Sequence, residues 1–377
     1  MIICKIHELK KAFSRFNSLQ KFKGYLATND EYLYLCSIDD SMSYGFKIEL
    51  DEGEEHSYVL SHENICSMSE YFKTVRVRRN CRIIFANNSM KIEIEEKDGE
   101  FTPSFDMMVS KTSLEDSKMI AEMFLNNTKG SLMNVNDFVF FTKMCTLRKK
   151  DEYFPASQYI NLESKNDSLT LCYGYDESIV RCKIDCKNKK VSRETFDYDY
   201  IKLLHDLFKD TLSNRASILC EDGKLSIISD MFTAVGLAVG NKFIDLDTLV
   251  EKAGCPKDEM KEFPKQLVED LKTLNKNGKM SYAKSVLNLH GKNTKINKCT
   301  IEHPLDKFMV YFNESNFADY KILSSTFDNL PDGHYYKADK IHKYTKNYDD
   351  FSVGFGKAGI MHLSKGNIDL LLLIQTI

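Results

Sequence analysis

The sequence contains no tryptophan, few prolines and no apolar stretch long enough to cross a bilayer. Its longest apolar run, Leu370 to Ile374, has the length of a strand. Met1 to His7 lack a basic region followed by an apolar one, so a secretory signal is not expected. Apolar residues make up 42% and charged residues 28% of the chain, which excludes a disordered protein and is typical of a folded one.

Cysteine is plentiful, but its pattern does not favour a disulfide framework. The eleven cysteines are odd in number and scattered, and Cys36, Cys145 and Cys220 lie inside apolar runs. These features predict reduced, buried thiols in a cytoplasmic protein. Cys182 and Cys186 fall on one face of a predicted strand and could begin a metal site, but no second Cys or His pair follows at ligand spacing. Packed thiols are therefore favoured, and we predict no metal.

Motifs for catalysis and cofactor binding are absent or lie in the wrong context. The sequence has no Walker loop, no Gly-x-Ser-x-Gly elbow and no His-Glu-x-x-His pair. Gly354 to Gly359 match Gly-x-Gly-x-x-Gly, but Ile360 to Ser364 then read as a strand rather than a helix, which favours a hairpin. We therefore predict a protein that is not an enzyme and needs no cofactor.

One helical pattern occurs three times along the chain. The three stripes are Ile65, Met68 and Phe72; Ile201, Leu204 and Phe208; and Ala338, Ile341 and Thr345. Their first members are almost equally spaced, and each stripe is followed by a predicted hairpin. A period of this size, more than a third of the sequence, predicts three similar domains rather than a solenoid of short repeats.

Each repeat is predicted to hold two helices and a set of antiparallel strands, an α+β plan without βαβ alternation. The length of 377 residues fits two or three domains, and we place them at residues 1–128, 129–242 and 243–377. Helices are predicted at Glu8 to Leu19, after an N-cap at Ser61, at Thr112 to Asn127, at Asn136 to Lys150, at Tyr198 to Leu212, at Phe243 to Gly254 and at Phe263 to Lys276. The dipeptide Asp222-Gly223 predicts a tight hairpin turn in the second repeat.

The predicted helices carry lysine and arginine on their polar faces although the chain has a net charge of −3. A uniformly basic nucleic-acid binder is thereby excluded, but a segregated basic surface is not. Solvated helix faces are often rich in lysine, so a single such helix would mean little. Six helices with this feature at matched places favour a shared surface that attracts phosphates without reading bases. The predicted DNA-binding residues are Lys10, Lys11, Arg15, Lys73, Arg76, Arg78, Lys143, Arg148, Lys149, Lys202, Lys209, Lys272, Lys276, Lys340 and Lys343.

The pattern over nearly the whole chain resembles the DNA polymerase sliding clamp in its three-domain bacterial form. The similar elements are the opening helix from Glu8 to Phe13, the strand and helix from Tyr58 to Ile65, and a final strand that closes the chain. The resemblance implies three clamp-type domains, in a head-to-tail ring of two subunits around double-stranded DNA, with helices lining the hole. It also implies a DNA polymerase tethered by a short peptide and a clamp-loader ATPase that opens the ring.

The family places the partner peptide in an apolar cleft between the second and third domains. Here Cys172 to Ile179 and the C-terminal Leu372 to Ile377 depart from the family's usual motifs, which would suit a viral or plasmid clamp. The predicted cleft residues are Tyr175, Ile179, Leu372 and Ile374. A buried strand explains Leu370 to Ile374 equally well.

The sequence thus predicts a DNA polymerase processivity factor that binds double-stranded DNA without sequence specificity, acts as a homodimer and does not contact membrane. We expect it in the cytoplasm of a bacterium or of an infected cell. Two alternatives remain open. One is a cysteine-dependent hydrolase, and the other is a viral structural or assembly protein.

Overall fold

A computed structural model describes residues 1–19, 23–75, 79–86, 88–121, 124, 130–147, 155–165, 167–175, 178–186, 192–209, 215–263, 286–289, 300–302, 308–311, 320–323, 334–346, 350–357 and 360–372. The helices in these ranges are α1 (Ile6–Leu19), α2 (His62–Thr74), α3 (Leu114–Ile120), α4 (Val135–Thr146), α5 (Tyr198–Lys209), α6 (Leu246–Ala253) and α7 (Ala338–Thr345). In this part of the chain, no helix combines the length and apolarity needed to span a membrane.

The strands before α4 belong to the first predicted repeat, except β10, which lies at the start of the second. They are β1 (Ile2–Lys5), β2 (Gly24–Thr28), β3 (Tyr32–Ile38), β4 (Met42–Glu52), β5 (His56–Leu60), β6 (Asn80–Ala86), β7 (Ser89–Glu95), β8 (Phe101–Met108), β9 (Ser110–Lys111) and β10 (Ser131–Met133). Those of the second repeat are β11 (Tyr159–Lys165), β12 (Ser168–Tyr175), β13 (Ser178–Asp185), β14 (Ser192–Asp197), β15 (Ala216–Glu221), β16 (Lys224–Ser229) and β17 (Phe232–Leu237).

The third repeat contributes shorter strands. They are β18 (Lys261–Glu262), β19 (Val286–Leu289), β20 (Thr300–Glu302), β21 (Phe308–Tyr311), β22 (Tyr320–Leu323), β23 (His334–Lys337), β24 (Ser352–Phe355), β25 (Met361–Lys365) and β26 (Ile368–Leu372). The elements confirm the α+β plan, since every described strand pair is antiparallel.

The repeated helical stripes are the buried faces of three helices. Ile65, Met68 and Phe72 of α2 have no exposed surface. Ile201 and Leu204 of α5 are equally buried, as are Ile341 and Thr345 of α7. The hydroxyl of Thr345 donates to the carbonyl of Ile341, 2.8 Å away, so a polar residue fits the third stripe without an unpaired group.

The chain divides into two compact units that cut across the predicted domains. The first comprises Met1–Asn136, Asp185–Asn188 and Asp199–Gly240, and the second Asp137–Ile184, Lys189–Tyr198 and Asn241–Ile377. In the first unit, the sheet runs β10-β15-β16-β17-β4-β1-β6-β7-β8. In the second, it runs β14-β11-β12-β13-β26-β25-β24-β18. The three-domain boundaries remain a prediction.

Each sheet is continuous across a boundary between repeats. Strand β17 of the second repeat pairs with β4 of the first, and β26 of the third pairs with β13 of the second. We call these two strand pairs and the side chains around them the first and the second junction. Their registers are the same: Gly236 pairs with Met42, and one repeat period later Leu372 pairs with Ser178. The period predicted from the helices therefore also sets the pairing of the strands.

Local sequence explains most of the turns and helix ends. At α2, the Ser61 hydroxyl accepts a hydrogen bond from the Asn64 amide, and the Asn64 side chain accepts one from the Ser61 amide. The Ser113 hydroxyl caps α3 in the same way by accepting from the Asp116 amide. Asp222 and Gly223 have φ values of 48° and 73°, as the predicted Asp-Gly turn requires.

Most sequence predictions of helices and strands agree with the structure, with shorter ends. The glycine motif at Gly354 lies in the hairpin of β24 and β25, so the hairpin prediction is confirmed. The sequence does not predict strand β14, because Ser192 to Asp197 are mostly polar and have little apolar alternation. The helix predicted from Phe263 to Lys276 falls almost entirely outside the described residues.

The cap of α2 gives a direct test of this local control. Replacement of Ser61 by alanine removes one half of the reciprocal cap, and we expect it to lower the free energy of unfolding by about 1 kcal/mol. Urea unfolding followed by circular dichroism measures the change. Ser67→Ala, in the middle of the same helix, is the matched control and should change stability by less than about 0.5 kcal/mol. Equal losses for both variants would contradict the capping role.

Candidate functional site

Two helices of the first unit present predicted DNA-binding lysines side by side. Helices α1 and α2 pack through apolar faces, and the rings of Phe13 and Phe72 lie 5.6 Å apart. On their outer side, the Lys10 ammonium donates to the main-chain carbonyl of Lys73 at 3.3 Å. The Lys73 side chain is exposed. The two lysines therefore belong to one patch of positive charge that crosses both helices.

Lys11 and Arg15 lie on a different stripe of α1. They line a cavity of about 330 Å³ whose wall also includes Lys47 and three acids, Glu8, Glu49 and Asp230. The Lys11 ammonium approaches the Met231 sulfur at 3.6 Å. The acidic neighbours reduce the net charge of this cavity, so Lys11 and Arg15 contribute less to a phosphate-attracting surface than Lys10 and Lys73.

Helix α5 carries two more predicted residues. Lys202 and Lys209 are both exposed, and they lie two helical turns apart, so they share one face of the helix. The opposite face is buried through Ile201, Leu204 and Phe208. Burial of one face thus leaves both ammonium groups in solvent.

In the second unit, one of the predicted DNA-binding lysines has a structural role. The Lys343 ammonium of α7 donates to the carbonyl of Leu147, just beyond the end of α4. A cation at this place satisfies a terminal carbonyl and interacts favourably with the helix dipole. Lys143, in the last turn of α4, is half-buried. Lys340 lies in α7. The predicted residues that lie outside the described ranges are Arg76, Arg78, Arg148, Lys149, Lys272, Lys276 and the cleft residue Ile374.

Two of the predicted cleft residues, Ile179 and Leu372, lie on the paired strands of the second junction. Ile179 pairs with Leu371, and Ser178 pairs with Leu372. Because side chains alternate along a strand, Leu371 rather than Leu372 shares the face of Ile179. Ile179 and Leu371 form a cluster with Cys172, Leu246 and Val250, all of them buried. Tyr175 is half-buried at the end of β12.

A buried group of charges lies beside this cluster on the same sheet face. Arg181 is the cross-strand partner of Asp369, and its guanidinium donates to that carboxylate at 2.6 and 3.0 Å. The same guanidinium donates to Asp247 of α6 at 2.7 Å. The ring of His362 lies 3.1 Å from Asp369. One arginine therefore joins β13, β26 and α6.

The charged state of this group is fixed by its neighbours. Burial by itself would raise the pKa of the Asp369 carboxyl, but the hydrogen bond from His362 and the charge and hydrogen bonds of Arg181 outweigh it. The net effect holds the pKa of Asp369 well below its usual range. Asp369 is therefore ionised at neutral pH and balances the buried guanidinium.

Sequence reasoning missed Arg181, Asp247, Asp369 and His362. A signal was present: Arg181 interrupts the apolar run of β13, and Asp369 interrupts that of β26. An ionisable residue in a buried strand needs an opposite charge nearby, which predicts that each has a partner but does not identify it.

Most of the described thiols are buried. Burial raises the pKa of Cys36, Cys145, Cys172 and Cys182. Cys66 lies closer to the surface, 3.5 Å from the His62 ring, and its thiol donates to Asn17 at 3.3 Å. No cluster of metal-ligating side chains is present among the residues that the structure describes.

Comparison with solved structures decides which fold this is. The chain superposes along its full length on the DNA polymerase III beta subunit of Thermotoga maritima, covering 99% of that chain, with a TM-score of 0.65 and 11% identity. The comparison with the DNA polymerase sliding clamp of Pseudomonas aeruginosa gives a TM-score of 0.67 and 8% identity, and both chains are fully covered. The comparison with the DNA polymerase III beta subunit of Borrelia burgdorferi gives a TM-score of 0.66 and 11% identity, with 98% of that chain covered. The chain has the sliding-clamp fold.

No protein-family model and no curated protein sequence matches the chain. The clamp fold is thus retained at sequence identities of only 8% to 11%. Such a difference in sequence is compatible with one fold, because the buried helix stripes need only apolar residues at the right period. The pairing of strands uses main-chain hydrogen bonds and does not require particular side chains. The predicted resemblance to the sliding clamp is confirmed at the level of the fold.

The buried charges at the second junction are expected to be sensitive to mutation. Asp369→Ala leaves the Arg181 guanidinium short of its main partner, and we expect a loss of about 3–5 kcal/mol in the free energy of unfolding. Urea unfolding measures this loss. Asp185→Ala, an exposed acid at the end of β13, is the matched control and should change stability by less than about 0.5 kcal/mol. A small effect of Asp369→Ala would contradict the assigned ion pair.

The same group predicts how stability depends on pH. Because folding lowers the pKa of Asp369, its stabilisation is present above the unfolded pKa of about 3.9 and is lost as pH falls below it. Asp369→Asn should therefore lose less stability than the wild type as the pH is lowered from about 5 to 3. Thermal unfolding across this range measures the difference, and parallel curves for the two proteins would count against the assignment.

Proposed function

We propose that this protein is a DNA polymerase processivity factor that closes around double-stranded DNA as a head-to-tail homodimer. The observation that carries the proposal is the sliding-clamp fold over the full chain, together with exposed lysines on its helices. The protein acts in the cytoplasm without catalysis or a cofactor. Its partners are DNA, a DNA polymerase and a clamp-loader ATPase.

The mechanism is topological and electrostatic. A closed ring cannot leave a circular duplex, so retention needs no strong contact with DNA. Lysines on the helices, such as Lys10, Lys73, Lys202 and Lys209, attract phosphates as mobile point charges. Contacts of this kind are independent of sequence and are exchanged at little cost, which permits sliding.

Ring closure needs a surface that pairs with a different surface of the second copy. Strand β8 suits this role, because it is the last strand of its sheet and is paired with β7 alone among the described strands. Met108, at its end, is 72% exposed. An unpaired strand edge with an exposed apolar side chain is a template for adding a strand from another chain. Pro103, which lacks an amide donor, limits where pairing can occur.

The tethered polymerase would use the second junction. Ile179 and Leu371 belong to an apolar cluster there, beside Arg181 and Lys183 of β13. An apolar site with a few polar groups at its rim is typical of a site for a short peptide. The departures of this chain from the usual clamp motifs at Cys172 to Ile179 are consistent with a partner motif of its own.

The alternatives predict different behaviour. A cysteine-dependent hydrolase would need an activated thiol, and Cys66 with His62 is the described pair nearest to that chemistry. Cys66→Ser should leave DNA retention unchanged if the protein is a clamp. A viral assembly protein would form large assemblies rather than a dimer, and sedimentation separates these cases.

Encirclement has a direct test. We expect sedimentation to give a particle near twice 43.6 kDa. After loading, the protein should remain on a nicked circular duplex and should be lost when a restriction enzyme linearises the circle. Gel filtration of the DNA fraction measures retention. Equal retention on circular and linear DNA would exclude a topological link.

The lysines of α5 provide a second test. Lys202→Ala with Lys209→Ala should weaken binding to a fluorescent linear duplex and reduce the slope of log affinity against log salt by about 0.9 for each phosphate that is no longer neutralised. Fluorescence anisotropy across a salt series measures both. Lys97→Ala with Lys224→Ala removes two exposed lysines from strand turns and is the matched control. The proposal fails here if the two double variants have the same slope.

A further inference from the structure

A sulfur atom, an imidazole nitrogen and an amide oxygen lie together between α1 and α2. Cys66 and His62 are one helical turn apart on the same face of α2, and the Cys66 sulfur is 3.5 Å from the Nε2 atom of His62. The same sulfur is 3.3 Å from the Oδ1 atom of Asn17, near the end of α1. Donor atoms from two helices are thus grouped around one thiol.

Packing of the two helices holds this group in place. Asn17 follows the buried Phe16 in α1, and Cys66 follows the buried Ile65 in α2. The apolar neighbours anchor both donors at the edge of the helix interface. Cys66 and Asn17 are half-buried and His62 is exposed, so the group can be reached from solvent.

The space beside His62 leaves room for a ligand. The ring lines a cavity of about 680 Å³ whose wall also includes Asn64 and Lys23. The Lys23 ammonium is paired with Asp116, 3.3 Å away, so it repels a second cation less than an isolated ammonium does. A cation held by the His62 ring would therefore have room for a water ligand in this cavity.

Cys66 differs from the other described cysteines in its surroundings. Only Cys66 and Cys220 among them are not buried. His362 also lies beside a cysteine, but it contacts the main-chain amide and carbonyl of Cys255, at 3.1 and 3.2 Å. At Cys66 the sulfur itself faces a ring nitrogen, and these are the two atom types that zinc prefers in proteins.

The distances between the donors fit tetrahedral coordination. Zinc binds a thiolate sulfur at about 2.3 Å and an imidazole nitrogen at about 2.1 Å, so two such ligands at tetrahedral angles stand about 3.5 Å apart. The Nε2 atom of His62 and the Cys66 sulfur have this separation. The described residues contain no group of three His, Cys, Asp or Glu side chains that could hold a metal, but here the amide oxygen of Asn17 supplies the third donor.

We propose that Cys66, His62 and Asn17 bind one divalent cation of the zinc class and that this cation joins α1 to α2. The Cys66 thiol releases its proton to solvent as its sulfur forms a bond to the cation. His62 donates the lone pair of Nε2, and Asn17 donates its amide oxygen. Each protein donor displaces one water from the cation, and a water keeps the fourth position. The cation is a reversible ligand, and the proposed function does not require it.

The first experiment titrates the reduced, metal-free full chain with Co²⁺, which takes zinc sites and reports on its ligands by absorption. We expect one equivalent to give a thiolate-to-cobalt charge-transfer band, which Zn²⁺ removes and Mg²⁺, a cation that prefers oxygen ligands, does not. Cys66→Ser should lose the band. Cys220→Ser removes the other cysteine that is not buried and is the matched control, which should keep the band. No band in the wild type, or an equal band in Cys66→Ser, would overturn the proposal.

The second experiment tests the other two ligands by competition for Zn²⁺ with a chelating dye. His62→Ala should lower the zinc affinity by about a hundredfold, since even outer-shell changes at metal sites cost 10–100-fold. Asn17→Asp should raise the affinity, because a carboxylate is a better zinc ligand than an amide. Ser18→Asp adds the same charge at the next residue and is its matched control, with no comparable gain. Equal zinc affinity of the wild type, His62→Ala and Asn17→Asp would contradict the site.

A third measurement follows the stability of the folded chain. A cation that binds only the folded protein raises its midpoint of thermal unfolding, so Zn²⁺ should raise Tm for the wild type and not for Cys66→Ser. Cys66→His restores a ring nitrogen at ligand spacing and should recover the zinc-dependent rise without the charge-transfer band. An equal rise in the wild type and Cys66→Ser would exclude this site. The assays contain no DNA, so retention on circular DNA tests the proposed function separately.

Discussion

Antiparallel pairing between strands of neighbouring repeats is the constraint on which the described structure depends. Each repeat presents a strand whose backbone amides and carbonyls need partners, and an unpaired buried backbone group is costly. Strand β17 pairs with β4 and strand β26 pairs with β13, so the backbone groups of each pair find partners, and the register is the same at both places. The repeats are thereby fused through main-chain hydrogen bonds, which do not depend on side-chain identity. This explains how the fold persists when most residues differ from those of solved clamps.

With the backbone fixed in this way, side chains at the two junctions are free to differ. At the first junction, Gly45 leaves space for the ring of Phe124. At the second, Arg181 holds Asp369 and Asp247 together, and the guanidinium replaces apolar contact with directed hydrogen bonds. A buried ion pair contributes less net stability than apolar packing of the same volume, but it defines which elements must meet. At the second junction, the directed hydrogen bonds of Arg181 therefore define which strand and which helix meet.

The distribution of charge follows from the same architecture. Apolar stripes bury one face of α1, α2 and α5, and lysines on these helices are left in solvent. Other cations have structural or acidic neighbours. Lys343 binds the end of α4, and Lys11 and Arg15 share a cavity with three acids. The exposed lysines of α2 and α5 therefore suit phosphate attraction best, together with Lys10 beside them.

The sequence by itself determined the features that depend on near neighbours. These are the threefold period, the buried stripes of α2, α5 and α7, the cap at Ser61, and the turn at Asp222 and Gly223. Caps and turns join atoms a few residues apart, and helical faces repeat every 3.6 residues, so composition and spacing suffice. Only the tertiary structure decided which strands pair across repeats and that Leu371, not Leu372, faces Ile179. It also decided that Arg181 meets Asp247 and Asp369, which lie 66 and 188 residues away in the chain. Partners at such separations are fixed by strand register, and a shift of one residue turns every side chain to the opposite face.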